Sequence, residues 1–113
     1  MTHVISIMNH KGGVGKTTTC VNLGAALTMM DRKVLLLDLD PQSHSTIHLN
    51  LNPNKLEKSC YNVIAGGESL DEAIYETNYP DFDIIPANID LAGTEVELVN
   101  VIGREVILRD RID

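Results

Sequence analysis

Hydrophobic positions along this chain alternate between short unbroken runs and helix-spaced patterns. Val4 to Met8 is an apolar run that predicts a first strand, with His3 at its start, and it leads into a glycine-rich stretch. From Thr17 to Met30 the pattern is helical, with Val21, Leu23, Leu27 and Met30 expected to face a sheet. Val34 to Leu37 is a second unbroken run, as in a strand buried on both faces of a parallel sheet. Asn50, Asn52 and Pro53 then predict irregular chain, and Asn54 to Ser59 a polar connector. Tyr61 to Ala65 and Ser69 to Tyr75 predict two short helices separated by Gly66-Gly67. Ser69 with Glu72 three residues on fits a capped start to the second. Phe82 to Pro86 predicts a third strand. Ile89 to Val101, with Leu91, Val96, Leu98 and Val99 at helical spacing, predicts a helix ending near Gly103, and Glu105 to Arg111 a last one. Together these elements predict an α/β fold, a mainly parallel sheet flanked by helices, within one domain over residues 1–113.

The loop between the first run and the first helix carries the strongest chemistry. It reads Asn9-His10-Lys11-Gly12-Gly13-Val14-Gly15-Lys16-Thr17-Thr18. Strand, glycine loop and helix in this order place backbone N–H groups and a helix N-terminus against phosphate oxygens. Lys16 is positioned for the β- and γ-phosphates and the Thr17 hydroxyl for Mg²⁺. Gly13-Val14-Gly15 also begins like a dinucleotide fingerprint, but Thr18 occupies the third glycine position and a Lys-Thr pair follows the second. In the ordinary phosphate loop a glycine stands where this chain has His10, and the second lysine, Lys11, has no counterpart.

With those two departures the loop resembles the deviant phosphate-binding motif of the ParA/MinD ATPases. The resemblance implies a P-loop ATPase using ATP and Mg²⁺, with Lys11, Gly12, Gly13, Val14, Gly15, Lys16, Thr17 and Thr18 around the nucleotide. It also implies that Lys11 reaches across an ATP-dependent homodimer to the partner subunit's nucleotide. After the second run comes Asp38-Leu39-Asp40-Pro41-Gln42-Ser43. Carboxylates at the C-terminal end of a strand lie where open α/β sheets bind ligands. The sequence Asp40-Pro41-Gln42 is similar to the ParA branch. That similarity implies that Asp40 positions the attacking water, that Asp38 supports the metal with Thr17, and that Pro41 and Gln42 belong to a switch loop. The implied catalytic set is Lys11, Lys16 and Asp40. The competing reading of Asp38 and Asp40 is a solvated strand end.

The implied function is ATP-driven partition of plasmid or chromosome DNA, with a ParB-like centromere-binding partner and non-specific DNA. MinD-like positioning ATPases share the lysine loop and usually lack the Asp-Pro-Gln continuation. A nucleotide-binding module without turnover is the third reading.

Charge and composition change this picture further. Net charge is −7, distributed as +3 over residues 1–35 and −10 over residues 36–113. An acidic surface repels a nucleic-acid backbone, so the DNA contact implied by the family is expected from a C-terminal half this sequence does not contain. Arg104, Arg109 and Arg111 read as a solvated helix face. Cys20 and Cys60 lie in no metal or redox motif and read as reduced thiols of a cytoplasmic protein, nucleoid-associated when ATP-bound. The apolar stretches are strand-sized, so no membrane helix and no leader are expected. His44 and His48 are spaced i, i+4 without a third ligand nearby and read as surface histidines. Finally, the family continues into a Walker B strand where this sequence reaches Arg111-Ile112-Asp113, so the expectation is a domain truncated before that strand, with the Val4–Met8 strand left as an unpaired edge.

Overall fold

A computed structural model describes residues 3–7 and 15–93. Its first helix, α1 (Lys16–Met29), begins directly after Gly15 and ends where Asp31 turns left-handed (φ 60°). There the N–H groups of Met30 and Arg32 both bond to the Leu27 carbonyl, which closes the last turn. Strand β1 (Val34–Leu37) follows, then the short helix α2 (His44–His48), a 3₁₀ turn at Pro53–Lys55, and α3 (Cys60–Ile64). A second 3₁₀ turn (Leu70–Ala73) leads into β2 (Tyr75–Glu76) and β3 (Phe82–Ile85), and Ile89–Gly93 is again 3₁₀.

The sheet has the order β1-β3-β2. β1 runs parallel to β3, pairing Val34 with Phe82 through Leu37 with Ile85, while β2 runs antiparallel to β3. It is therefore a mixed sheet around one parallel pair. Side-chain alternation divides the core in two. On one face Phe82 and Ile84 pack with Val34, Leu36, Leu49 and the Val21 side of α1. On the other, Ile85 packs with Leu35, Leu37, Cys60 and Val63 of α3, and Leu91. β1 thus has apolar partners on both faces, as its sequence predicts, although its residues are only half-buried.

Several elements differ from the sequence expectation. Residues 3–7 form no strand, and Val4 and Ile5 are 68% and 62% exposed. A strand exists only through lateral hydrogen bonds, and among the described residues none pairs with this run; Met8 lies outside them. Along α1, Leu23 and Met30 are exposed, while the sheet side is built on Val21, Gly24 and Ala25. A Cβ on Gly24 would stand 2.7 Å from Cε2 of Phe82, so the helix approaches the sheet too closely for larger residues. Ser69 makes no capping bond to the backbone, and its helix is a 3₁₀ turn that gives way to β2, the strand covering the edge of β3. The capping box lies instead at α3, where Ser59 Oγ accepts from the Tyr61 N–H and Asn62 Oδ1 from the Ser59 N–H (2.9 Å). Lastly, α2 occupies a stretch for which no helix was expected. The expected helix from Ile89 begins as a 3₁₀ turn and otherwise lies outside the described residues, as does Glu105–Arg111.

Candidate functional site

The C-terminal ends of β1 and β3 and the start of α1 meet on one side of the sheet. Gly15 adopts the left-handed conformation (φ 75°) at the N-cap of α1, which glycine enters without strain. The first helical bond is donated by the Thr19 N–H to the Gly15 carbonyl (2.8 Å). No side chain caps this end, and no acidic residue lies in its first turn. The N–H groups of Lys16, Thr17 and Thr18 therefore lie at an uncapped, electropositive helix start, where an anion is the favoured partner. Lys16 and Thr17 are half-buried and Thr18 is exposed. Lys11, Gly12, Gly13 and Val14 lie outside the described residues.

Asp38, at the end of β1, is 4% exposed, and protein donors reach both of its carboxylate oxygens. Oδ2 accepts from the Thr46 hydroxyl (2.7 Å) and the Thr46 N–H (2.9 Å), and Oδ1 from the Asp40 N–H (3.1 Å). The Thr46 hydroxyl in turn accepts from the Ala87 N–H (3.0 Å), and the Ser43 hydroxyl donates to the Ala87 carbonyl (2.8 Å). Four segments are tied together here: the end of β1, the turn after it, α2, and the exit from β3.

Asp40 lies two residues on and half-buried. Its Oδ1 accepts from the Gln42 N–H (2.9 Å), and its Oδ2 lies 2.6 Å from Nδ1 of His44 and accepts more weakly from the His44 N–H (3.3 Å). Burial works against the charge on this carboxyl, but the Gln42 and His44 N–H groups and the His44 imidazole outweigh it. The net effect holds Asp40 below the usual carboxylate value. The Ser43 N–H bonds back to the Asp40 carbonyl (2.8 Å), which closes the Asp40–Ser43 turn.

Burial pushes the Cys20 thiol up, while Lys16 lowers and Asp38 raises it, so both charges act on this one side chain a turn into α1. α2 also packs against α1. Cys60, beneath the other face, is pushed up to about 12 by burial, with Asp38 adding to the rise. Both thiols are free, and burial keeps Cys60 an inert core residue.

Sequence reasoning missed Ser43, His44 and Thr46 as parts of this site. His44 is exposed, as expected of a surface histidine, yet it is paired with Asp40. No local pattern signalled the pair, because Asp40 lies in the turn before α2 and left-handed Ser43 is what brings the two side chains together. His48 is exposed as expected, and no metal-binding cluster of His, Cys, Asp and Glu occurs among the described residues. None of the described helices is long and apolar enough to cross a membrane. An open depression of about 600 Å³, lined by Lys33, Tyr79, Asp81 and Asp83, lies at the opposite, N-terminal ends of β1 and β3.

Comparison with known proteins supplies the context for this geometry. The AAA domain family matches residues 2–113. The sporulation initiation inhibitor protein Soj of Bacillus subtilis is 43% identical over 113 residues, all of this chain and 45% of that protein. The chromosome partitioning protein ParA of Caulobacter vibrioides is 41% identical over 110 residues, 97% of this chain and 41% of its own. Among solved structures, cobyrinic acid a,c-diamide synthase from Mycobacterium smegmatis with bound ADP and magnesium superposes with a TM-score of 0.93. It is 44% identical, over 99% of this chain and 45% of that one. The chain thus spans less than half the length of these relatives.

Proposed function

Because the chain belongs to the AAA domain family and is of the ParA/Soj partition type, with the α/β fold of the P-loop ATPases, we propose that it binds and hydrolyses ATP, with Mg²⁺, to drive DNA partition. The observation that carries this reading is the uncapped start of α1, with Gly15 left-handed and Lys16 and Thr17 in the first turn. A polyphosphate matches such a terminus in charge and in hydrogen bonding. Residues 1–113 are then part of a single ATPase domain. In this reading Gly12 to Thr18 surround the phosphates, with Val14 contributing backbone, and Lys16 lies on the β- and γ-oxygens. Thr17 and Asp38 would hold Mg²⁺, Thr17 through its hydroxyl and Asp38 through water, which suits a carboxylate already bonded to protein on both oxygens. Bound there, the ion neutralises charge on the β- and γ-phosphates.

Asp40 orients the attacking water, and the Asp40–Gln42 turn senses the γ-phosphate. Lys11 reaches the nucleotide of a second subunit, so ATP holds a homodimer together and hydrolysis releases it; Gly12 permits the close approach of the two loops. A ParB-like protein bound at a centromere-type site stimulates turnover. DNA is held by parts of the protein outside this sequence, and the cycle runs in the cytoplasm on the nucleoid. The Asp-Pro-Gln sequence supports partition over MinD-like positioning. A second reading takes up the name of the M. smegmatis structure, a diamide synthase; stimulation of turnover by DNA and a ParB-like partner separates the two.

The first test is a calorimetric titration with ATP and Mg²⁺. Saturable binding that is lost in Lys16→Ala is the expected result. Equal affinity in the variant would remove the loop assignment.

A further inference from the structure

His44 is held against Asp40 by the backbone rather than by packing around its ring. The imidazole is 57% exposed, yet Nδ1 stands 2.6 Å from Oδ2 of Asp40. Two acceptors do not approach so closely without a proton between them, so Nδ1 carries the proton and donates. Ser43, the residue before, is 3% exposed and takes the left-handed conformation (φ 61°), which is strained for any residue with a Cβ. Its hydroxyl anchors that strained turn to the Ala87 carbonyl at 2.8 Å. A turn fixed to the exit of β3 therefore aims the histidine back at the carboxylate. Strain of this kind persists where the surroundings over-determine it, and it collects at sites that need a fixed geometry.

The other oxygen of Asp40 is differently placed. Oδ1 accepts one bond, from the Gln42 N–H, and keeps a second lone pair. Without its Oδ2 partner the carboxylate could turn about χ2 and present Oδ1 in many directions. Resting on the reading of Asp40 as the water-positioning group, we propose that His44 is a positioning residue for hydrolysis, holding Oδ2 so that the free lone pair of Oδ1 meets the attacking water in one orientation. A reactant held in one geometry gains rate without gaining affinity, so the effect belongs in kcat rather than KM.

The test compares ATP hydrolysis with Mg²⁺ by the unmodified chain, His44→Ala, His44→Asn, Asp40→Asn and the Asp40→Asn/His44→Ala pair. His44→Ala should lower kcat on the order of tenfold with KM unchanged. His44→Asn should restore most of it, because its amide N–H can reach Oδ2 from the place of Nδ1. On the Asp40→Asn background His44→Ala should change nothing further. Imidazole ¹⁵N spectra give a readout independent of turnover: the bonded Nδ1–H signal of His44 should be present in the unmodified chain and lost in Asp40→Asn. Full kcat in His44→Ala, with Asp40→Asn inactive, would overturn the positioning role and leave Asp40 catalytic. A loss that His44→Asn does not rescue, or an absent Nδ1–H signal, would also overturn that role alone. Full turnover in Asp40→Asn would overturn the reading of Asp40 and the proposal with it.

Discussion

Asp38 and Asp40 stand two residues apart at the end of one strand and occupy opposite environments. Asp38 is buried, and its carboxylate is bound by Thr46 and the Asp40 N–H, in a network that continues to the exit of β3. Asp40 is half-buried, held by two N–H groups of its own turn and by a histidine that faces solvent. A buried carboxylate with donors on both oxygens is part of the framework, because breaking one of its bonds strands the others away from water. A more accessible one held by local bonds keeps a lone pair for a partner on the solvent side. In the proposed mechanism the framework carboxylate steadies the metal and the accessible one, held by His44, meets the water.

Removing each carboxylate should separate these roles, and the largest effect belongs to Asp38. Asp38→Ala leaves the hydroxyl and N–H of Thr46 without their acceptor, which should cost about 3 kcal/mol of unfolding free energy in a urea titration. A loss below about 1 kcal/mol would mean that water enters and the network is not structural. Gly24→Ala supplies a comparison on the α1 face of the sheet, away from both carboxylates. Its methyl would collide with the Phe82 ring, with an expected cost of about 2 kcal/mol in the same titration. Unchanged stability there would show that α1 can lift off the sheet.

Asp40 should matter less to stability, and mainly in acid. Its folded value lies below the unfolded-chain value of about 3.9, so its ionised form stabilises the fold above that pH. This contribution is lost as pH falls from there through the folded value, so Asp40→Asn should flatten the acid limb of a stability–pH curve below about pH 4. An acid limb identical to that of the unmodified chain would remove the bonds to Asp40 as a source of stability. The smallest effect is expected at Ser43. Ser43→Gly relieves left-handed strain of about 1 kcal/mol and loses a hydrogen bond of about the same size. A net change well above about 0.5 kcal/mol would show which of the two dominates.

Elements with a strong local signal were legible before any coordinates. Helix α1, strands β1 and β3 and helix α3 lie within about a residue of their expected ranges, because unbroken apolar runs and helical spacing leave little choice of structure. The helix start behind Gly15 followed from its residue types. Other features depended on neighbours that no local pattern names. Val4 to Ile7 is largely apolar, yet it forms no strand, since pairing is a property of two segments. Leu23 and Met30 lost the sheet to Gly24 because the distance between helix and sheet, set by Phe82, selects residues by size.

The chain's own residues determined which chemistry is available here: an electropositive helix terminus, two carboxylates at a strand end, and an α/β arrangement to hold them. Tertiary structure alone decided which carboxylate is framework and which is poised. Asp38 and Asp40 are the same residue type in the same short motif. They differ because Thr46 and Ala87, 8 and 49 residues beyond Asp38 in sequence, close over one of them, while the other stays within reach of solvent. Burial and hydrogen bonding set what a carboxylate can do, and both are properties of the assembled fold.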